Sequence, residues 1–423
     1  YNGTYRVANS NATTTATATF TPNITVSGYY WVSVQFVSGL NRPTDVKYTV
    51  HHAGGTTTYT VNQEVHGSTW VYLGRFYFAA GGDNKVVLSN QSTQDAQAII
   101  ADAVRFGGGI GQQADCNFPS VSPSGSNKAR FEEAANMYAR YQGYPTCVGD
   151  VNMRPLYAEW EANKGGIQEV RNSVFVSFHT NAANTTARGT ETYRYNGLGS
   201  GRPNISPGST QLRDSIHRQI VSDIRAGYNP SWTDRGVKEA NFGELRNLDS
   251  IPGALIELAF HDTPADATDL KNAEFRRLAA RAMYKGIVKY FNYKDGTPIV
   301  YLPEEPTHFI AKNTGNNQIQ LTWRRPVTGG IFGHPATSYR VYISNNGKGF
   351  GDGLTVNDTT YTFTGAANTT YYFKISAVNA GGESFTTSVV AARTPASPTS
   401  NASYLIVDGF DRLSPMVLRN EGS

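Results

Sequence analysis

Two apolar runs of strand length each carry one ionisable side chain. One reads Ser173-Val-Phe-Val-Ser-Phe-His179-Thr-Asn-Ala, and the other reads Ile251-Pro-Gly-Ala-Leu-Ile-Glu257-Leu-Ala-Phe260. A neutral imidazole is a metal ligand, and a carboxyl group in an apolar strand is a candidate acid or base. Burying an unpaired charge is costly, so a buried strand has no ordinary use for either residue. Two such intrusions predict that the edges of the two strands meet at a site. The plain alternative is a satisfied core histidine and a paired buried glutamate. His261 and Asp262 follow Glu257 at the same strand end. There they would add a ligand or a substrate contact, or else cap the next loop. His217 lies beside an apolar helical stripe and reads as helix-surface packing, while His66, His308 and His334 fall in no pattern.

Other chemistries are poorly supplied. The cysteines are Cys116 and Cys147 alone, too few thiolates for a Cys-rich zinc site. They flank a helical segment, and are either a disulfide of an oxidising compartment or two thiols. No Gly-x-Ser-x-Gly elbow, phosphate-binding loop or dinucleotide fingerprint stands between a strand and a helix, which leaves a serine hydrolase or a nucleotide enzyme without support. The net charge is +4 without a long basic run, so nucleic acid is not implied. No apolar stretch approaches the ~20 residues that span a bilayer. The chain begins at Tyr1 rather than Met, carries no signal peptide, and reads as mature, processed or excised.

The elements that must position His179 and Glu257 lie in the middle of a 423-residue chain, long enough for about two to four domains. Charged residues are 17%, below the usual quarter. Gly, Thr, Asn, Ser and Tyr are abundant instead, which suits twisted sheets joined by polar turns. The expected fold class is multidomain, α/β plus all-β. Residues 1–108 read as strands at 16–20, 29–36, 46–50, 56–61, 69–73, 85–88 and 99–106. Turn signals fall at Ser27-Gly28, Ala53-Gly-Gly55, His66-Gly67 and Gly81-Gly-Asp83, and this spacing predicts a jelly-roll-like sandwich. Residues 109–296 open on a Gly-rich linker and then alternate helices with apolar strands. One helical stripe is Phe131, Ala134, Ala135, Tyr138 and Tyr141, ended by Gly143. A second is Leu212, Ile216, Ile220 and Ile224, and a third runs from Phe275 to Tyr290. The apolar run 174–178 predicts a central strand covered on both faces, and 254–260 another, making an α/β layered domain. Residues 304–396 return to β. Residues 397–423 read as a linker and the first strand, 403–411, of a further domain.

Each segment resembles a known family. Gly28-Tyr-Tyr-Trp-Val32, His52-Ala-Gly-Gly-Thr56, Trp70-Val-Tyr-Leu-Gly74, Phe76-Tyr-Phe78 and Ile100-Ala-Asp-Ala-Val-Arg-Phe106 are similar to golvesin-like sandwich modules. Such modules are often found in proteins labelled xanthan lyase, and the first expected strands are missing before Tyr1. Pro303-Glu-Glu-Pro306, Leu321-Thr-Trp323, Ser338-Tyr-Arg-Val-Tyr342 and Tyr371 to Asn379 resemble a fibronectin type III domain. There Trp323 would be the core tryptophan, and Tyr371 or Tyr372 the corner tyrosine. The middle segment resembles the zinc-dependent N-acetylmuramoyl-L-alanine amidases. That likeness rests on Phe178-His179-Thr-Asn-Ala182, Arg188-Gly-Thr-Glu-Thr-Tyr193, Gly243-Glu-Leu-Arg246 with Leu255 to Phe260, and the closing helix around Lys285-Gly-Ile-Val-Lys-Tyr290, in that order.

The amidase resemblance implies His179 as a zinc ligand and Glu257 as the group that takes a proton from water and hands it to the leaving amine. It also implies substrate contacts from Asn181 and Arg246, with His261 a further candidate. Both strand residues should stand at the carboxyl ends of their strands, where open α/β sheets bind ligands. A catalytic zinc takes about three protein ligands, and the family's other histidine and glutamate are not found in a suitable place. His51-His52-Ala-Gly-Gly55 imitates the expected motif, but it lies between two alternating strands and reads as a hairpin. The expectation is therefore a sandwich inserted into the amidase-like fold, with the remaining ligands upstream of Tyr1 and weak zinc binding by this chain.

The first functional reading is a zinc-dependent hydrolase of the cell envelope, acting on peptidoglycan-type amide bonds, extracellular, at the cell surface or periplasmic. Its partner would be peptidoglycan or another cell-surface glycan; the oligomeric state is not legible. The second is a catalytically inactive amidase-like scaffold whose sandwiches bind polysaccharide through outward Tyr and Trp residues. A third is the polysaccharide-processing role that the xanthan lyase label suggests, for which no toroid or right-handed β-helix scaffold is visible in the sequence.

Overall fold

Strict alternation of apolar and polar residues makes the first hundred residues a sandwich. The protein is described from a computed structural model over residues 3–107, 135–146, 148–199 and 204–397. Its first strands are β1 (Arg6–Asn9), β2 (Thr17–Phe20), β3 (Gly28–Gln35), β4 (Val46–His52), β5 (Gly55–Val61), β6 (Val71–Phe78), β7 (Lys85–Ser89), β8 (Ala98–Ala101) and β9 (Ala103–Gly107). Among the described residues one sheet runs β2-β7-β4-β5, the facing sheet runs β6-β3-β9, and β1 pairs with β8. Val32, Val34, Val46, Tyr48, Val50, Phe76 and Phe78 fill the space between the sheets. Gln63 is fully buried among them. It is tolerated because its amide is satisfied: Nε2 donates to Tyr48 Oη and to the Ile100 carbonyl, each at 2.9 Å, and Oε1 accepts from the Ile100 amide at 2.8 Å.

Two strand expectations shift. The run placed at 69–73 is a strand over Val71–Phe78, because Phe76 and Phe78 continue the inward alternation. The run 99–106 is cut at Asp102 into β8 and β9, which pair with different strands, β1 and β3. His51 and His52 lie in a hairpin: His52 is opposite Gly55 in register, with Ala53 and Gly54 at the turn.

The central domain contains α1 (Ala135–Tyr141), α2 (Asp150–Lys164), α3 (Gly166–Asn172), β10 (Phe175–Asn181), β11 (Thr190–Tyr195), α4 (Ser209–Gly227), β12 (Asp234–Ala240), α5 (Gly243–Arg246), β13 (Gly253–Phe260), α6 (Pro264–Lys271) and α7 (Ala273–Asp295). The sheet order is β10-β13-β11-β12. β10 and β13 are parallel, β11 and β12 are parallel, and β11 runs antiparallel to β13. Helices α4 and α7 cover one face, where Leu212, Ile216, Ile220 and Ile224 meet Ala254, Ile256, Leu258, Phe275 and Leu278. Gly286 lets these helices approach: a Cβ there would lie 2.6 Å from the Ile216 Cα. On the opposite face Ala162 of α2 packs with Leu245, Leu248, Ile251 and Leu255. Glu159 of α2 accepts from the amides of Asp249, Ser250 and Ile251 at 2.7, 2.7 and 3.0 Å, anchoring the segment that leads into β13.

Two readings are corrected here. The strand expected to be central, β10, is an edge strand among the described residues, and Phe178 is 47% exposed. β13 takes the centre because it is apolar on both faces, whereas β10 alternates buried and open positions. His217 is not on the helix surface but buried, with Nδ1 3.1 Å from Thr192 Oγ1 and Nε2 2.8 Å from Asp234. Cys116, Cys147, helix positions 131–134 and the run 403–411 lie outside the described residues.

The last domain is a sandwich of β14 (Thr307–Gly315), β15 (Gln318–Arg324), β16 (Ser338–Ser344), β17 (Leu354–Val356), β18 (Thr360–Thr364), β19 (Thr370–Asn379), β20 (Gly382–Glu383) and β21 (Val390–Arg393). Trp323 is buried in its core against Tyr339, ring centroids 5.3 Å apart. The Tyr371 hydroxyl accepts from the Ala366 amide at 2.8 Å, which makes Tyr371 the corner tyrosine. Lys285 of α7 joins this domain to the central one. It is buried in an ion pair with Asp223 of α4 at 3.0 Å and donates to the Gly330 carbonyl at 2.9 Å.

Candidate active site

Strand register brings the chemistry together. His179 of β10 is directly opposite Glu257 of β13, and Glu257 is directly opposite Glu191 of β11. Three ionisable residues from three adjacent strands thus form one row across the sheet. The face is the one under α2 and α5, since Phe175, four residues before His179, and Leu255, two before Glu257, pack in that smaller core and even offsets along a strand share a face. Ser177 shares this face and its Oγ lies 2.8 Å from His179 Nε2. Helix α5 adds Glu244, with Oε1 3.9 Å from the same nitrogen.

The two strand carboxylates have opposite environments. Burial alone would raise the Glu191 pKa, but Lys238, Arg235 and the Tyr193 hydroxyl outweigh it and hold the group below its ordinary value. Arg235 Nε donates at 2.8 Å, Tyr193 Oη at 2.7 Å and Asn181 Nδ2 at 2.8 Å, and Lys238 Nζ forms a further ion pair. Glu257 has no such support. Its Oε2 is buried without a hydrogen-bond partner among the described residues. Burial first, then the charges of Glu191 and Glu244, push its pKa up to about 7. Two neighbouring carboxyls with displaced proton affinities are the usual preparation for acid–base work.

The sequence candidates are brought together in part. His179, Glu257 and Asn181 share the site, Asn181 by holding Glu191. Arg246 ends α5, two residues from Glu244, and its Nη2 lies 3.5 Å from Asn152 Oδ1. His261 stands beyond the row, with Nδ1 3.1 Å from Thr180 Oγ1. Asp262 caps the neighbouring loop by accepting from the Ala183 and Thr185 amides at 2.9 and 3.1 Å. Glu257 is mid-strand rather than at the carboxyl end, with three residues of β13 after it. The site crosses the sheet because β11 runs against β13, so a rule for parallel strand ends does not locate it.

Glu191, Arg235, Lys238 and Glu244 were not singled out from the sequence. Glu191 sits inside the quoted Arg188-Gly-Thr-Glu-Thr-Tyr193 segment. Arg235 and Lys238 fall in the charged strand Asp234-Arg-Gly-Val-Lys-Glu-Ala240, which has too little apolar patterning to read as part of a sheet. For a metal at this site, His179 and Glu244 offer an imidazole nitrogen and a carboxylate oxygen 3.9 Å apart. Among the described residues no group of three or more His, Cys, Asp or Glu converges on one point.

A mixed-sheet α/β domain with an imidazole–carboxylate row, held between two β-sandwiches, defines the class of this protein. Comparison with known families agrees with that order. Residues 1–108 match the Golvesin C-terminal domain, residues 157–289 match N-acetylmuramoyl-L-alanine amidase, and residues 304–393 match the fibronectin type III domain. Over 125 residues the chain is 34% identical to an uncharacterized cell wall amidase of Bacillus anthracis, covering 29% of this chain and 22% of that protein. It is 32% identical over 120 residues to the sporulation-specific N-acetylmuramoyl-L-alanine amidase of Bacillus subtilis, covering 28% of this chain and 41% of that one. Over 93 residues it is 36% identical to a xanthan lyase of a Bacillus species, covering 22% of this chain and 10% of that one. The chain thus spans less than half the length of each of these relatives. Among solved structures, an N-acetylmuramoyl-L-alanine amidase from Clostridium difficile is 26% identical, with a TM-score of 0.28, covering 36% of this chain and 70% of that one.

Proposed function

We propose that the central domain hydrolyses the amide that joins a lactyl-bearing amino sugar to a peptide in peptidoglycan, with Glu257 moving the proton and zinc as cofactor. The carrying observation is Glu257: a buried, unpartnered carboxylate oxygen in register with a histidine. An imidazole and a carboxylate are donors that zinc takes. His179 and Glu244 would hold the ion, two of the about three protein ligands that a catalytic zinc takes. When bound, such an ion lowers the pKa of water toward about 7 and polarises a carbonyl.

The chain's own residues supply the rest. Glu257 accepts a proton at its open Oε2 near neutral pH and returns it to the leaving amine. Glu191 stays ionised in its cage of Arg235, Lys238, Tyr193 and Asn181, so it holds the sheet row in place and does not compete for the proton. Asn181, Arg246 and His261 are the candidate substrate contacts. We assign the working units as 1–108, 109–296 and 304–396, and place the protein at the cell wall, outside the membrane. No helix among the described residues is long and apolar enough to cross a membrane.

The test is zinc content and muropeptide amide cleavage by the natural full-length protein, beside Glu257→Gln and His179→Ala. About one zinc per chain, reduced in the His179 variant, with cleavage abolished in the Glu257 variant, supports the proposal. Neither zinc nor cleavage in the full-length protein would refute it and leave an amidase-like scaffold.

A further inference from the structure

We propose that the outward face of the β3–β6 pair, continued by the β16–β17 loop of the last domain, binds a polyuronate: pyranose rings on its aromatic side chains, carboxylates on Arg75 and Lys348. The reading starts from the strand period. Val32 and Val34 of β3 and Phe76 and Phe78 of β6 face the core. Tyr29, Trp31 and Ser33, with Arg75 and Tyr77, therefore face outward. The registers Tyr29 opposite Tyr77 and Trp31 opposite Arg75 set four of them side by side. The Tyr29 and Tyr77 rings meet edge to face at 5.2 Å, and Trp31 meets Tyr72 at 5.2 Å. The Arg75 guanidinium lies 4.9 Å from the Tyr29 ring centroid and 5.4 Å from that of Trp31.

Solubility does not ask for such a surface. The β5 strand of the same domain fills its outer positions with threonine, whereas this face keeps Tyr29 45% exposed beside an exposed Arg75. Trp31 and Tyr77 beside them are half-buried and extend the same patch, and contiguous apolar patches at a surface mark contact sites. The three strands contribute basic groups alone, and the β16–β17 loop adds Lys348 together with one acid, Asp352. Strands β3, β6 and β9 contain no Asp or Glu, and Arg75 makes no ion pair among the described residues. Lys348 Nζ lies 5.2 Å from the Tyr77 ring centroid. Amphipathic rings receive the C–H face of a sugar, and a guanidinium between them receives a carboxylate. A neutral glycan would have no use for the two cations.

The cation from the last domain is held in place. Tyr29 Oη donates to the Lys348 carbonyl at 2.9 Å, and Asn346 Nδ2 donates to the Ala53 carbonyl at 3.1 Å. Gly54 permits that approach, because a Cβ there would overlap the backbone of Gly349 and Phe350. The surface is separate from the Glu257 row, and its function does not depend on amide hydrolysis.

The test is affinity electrophoresis of the full chain in gels containing polygalacturonate, with laminarin and purified peptidoglycan sacculi as parallel probes, at low and high salt. Retardation by polygalacturonate alone, weakened by salt, is expected. Trp31→Ala should weaken it roughly two- to tenfold. Arg75→Gln should weaken it several-fold and flatten the salt dependence, and Glu257→Gln should bind as the parent does. Each variant's melting temperature is recorded; where Trp31→Ala lowers it, Lys348→Gln on the other domain decides. Equal binding to laminarin, binding to sacculi alone, no binding to polygalacturonate, or parent-like binding by the folded variants would overturn the proposal.

Discussion

Replacing Glu257 with glutamine should stabilise the central domain above neutral pH while abolishing hydrolysis. The native carboxyl keeps its proton up to about pH 7, against an ordinary glutamate's 4.5, chiefly because it is buried and then because Glu191 and Glu244 are charged nearby. Between those values the native state binds more protons than the unfolded chain, so stability falls as pH rises through the window, and the whole cost is present above it. At about 1.4 kcal/mol per pH unit the displacement corresponds to roughly 3 kcal/mol, or about 1.5 kcal/mol once water at the half-buried carboxyl is allowed for. Glutamine keeps the shape and removes the charge. In chelator-treated protein, its calorimetric transition should lie roughly 3–6 °C above the parent's at about pH 8 and coincide with it at about pH 4. Muropeptide cleavage should fall by about two to four orders of magnitude. An equal or lower melting temperature at the higher pH would refute the account of Glu257 as a strained acid. So would parallel pH dependence in both proteins.

Other perturbations separate function from scaffold. His179→Ala should reduce bound zinc, measured by metal analysis after dialysis against trace zinc, with the fold retained. Lys285→Met should cost about 3–5 kcal/mol in urea unfolding by stranding Asp223, while replacing both residues with apolar ones should be near neutral. Gln63→Leu should cost roughly 1–3 kcal/mol in the first sandwich, because the Ile100 amide loses its buried acceptor. Asp266→Ala should cost about 3–5 kcal/mol. It removes the fully buried carboxylate that accepts from the Gly189 and Phe260 amides, each at 3.0 Å, and pairs with Arg188.

Long elements with one clear apolar period were legible in the chain. The α4 stripe through Ile216 and Ile220, the α7 stripe from Phe275 to Tyr290 and the β13 run each occupy the positions expected of them, because a period of 3.6 or an unbroken apolar run has one cheap way to be buried. Helices α2, α3, α5 and α6 and strand β12 were not, since their polar residues are spent on caps and ion pairs that only partners distant in sequence reveal. Glu159 shows why: mid-helix it looks like solvent-facing polarity, yet it holds three backbone amides of a loop ninety residues away.

The residue types alone determined that His179 and Glu257 were misplaced in apolar strands, that sandwiches flank an α/β domain, and that two cysteines are too few for a Cys-rich zinc site. Tertiary structure decided what those two residues face. Whether a lone glutamate in a strand is paired or strained depends on its cross-strand neighbours, and register is a property of the assembled sheet. By placing β11 antiparallel beside β13, the fold sets Glu191 against Glu257. Arg235 and Lys238 then neutralise the first and leave the second holding its proton.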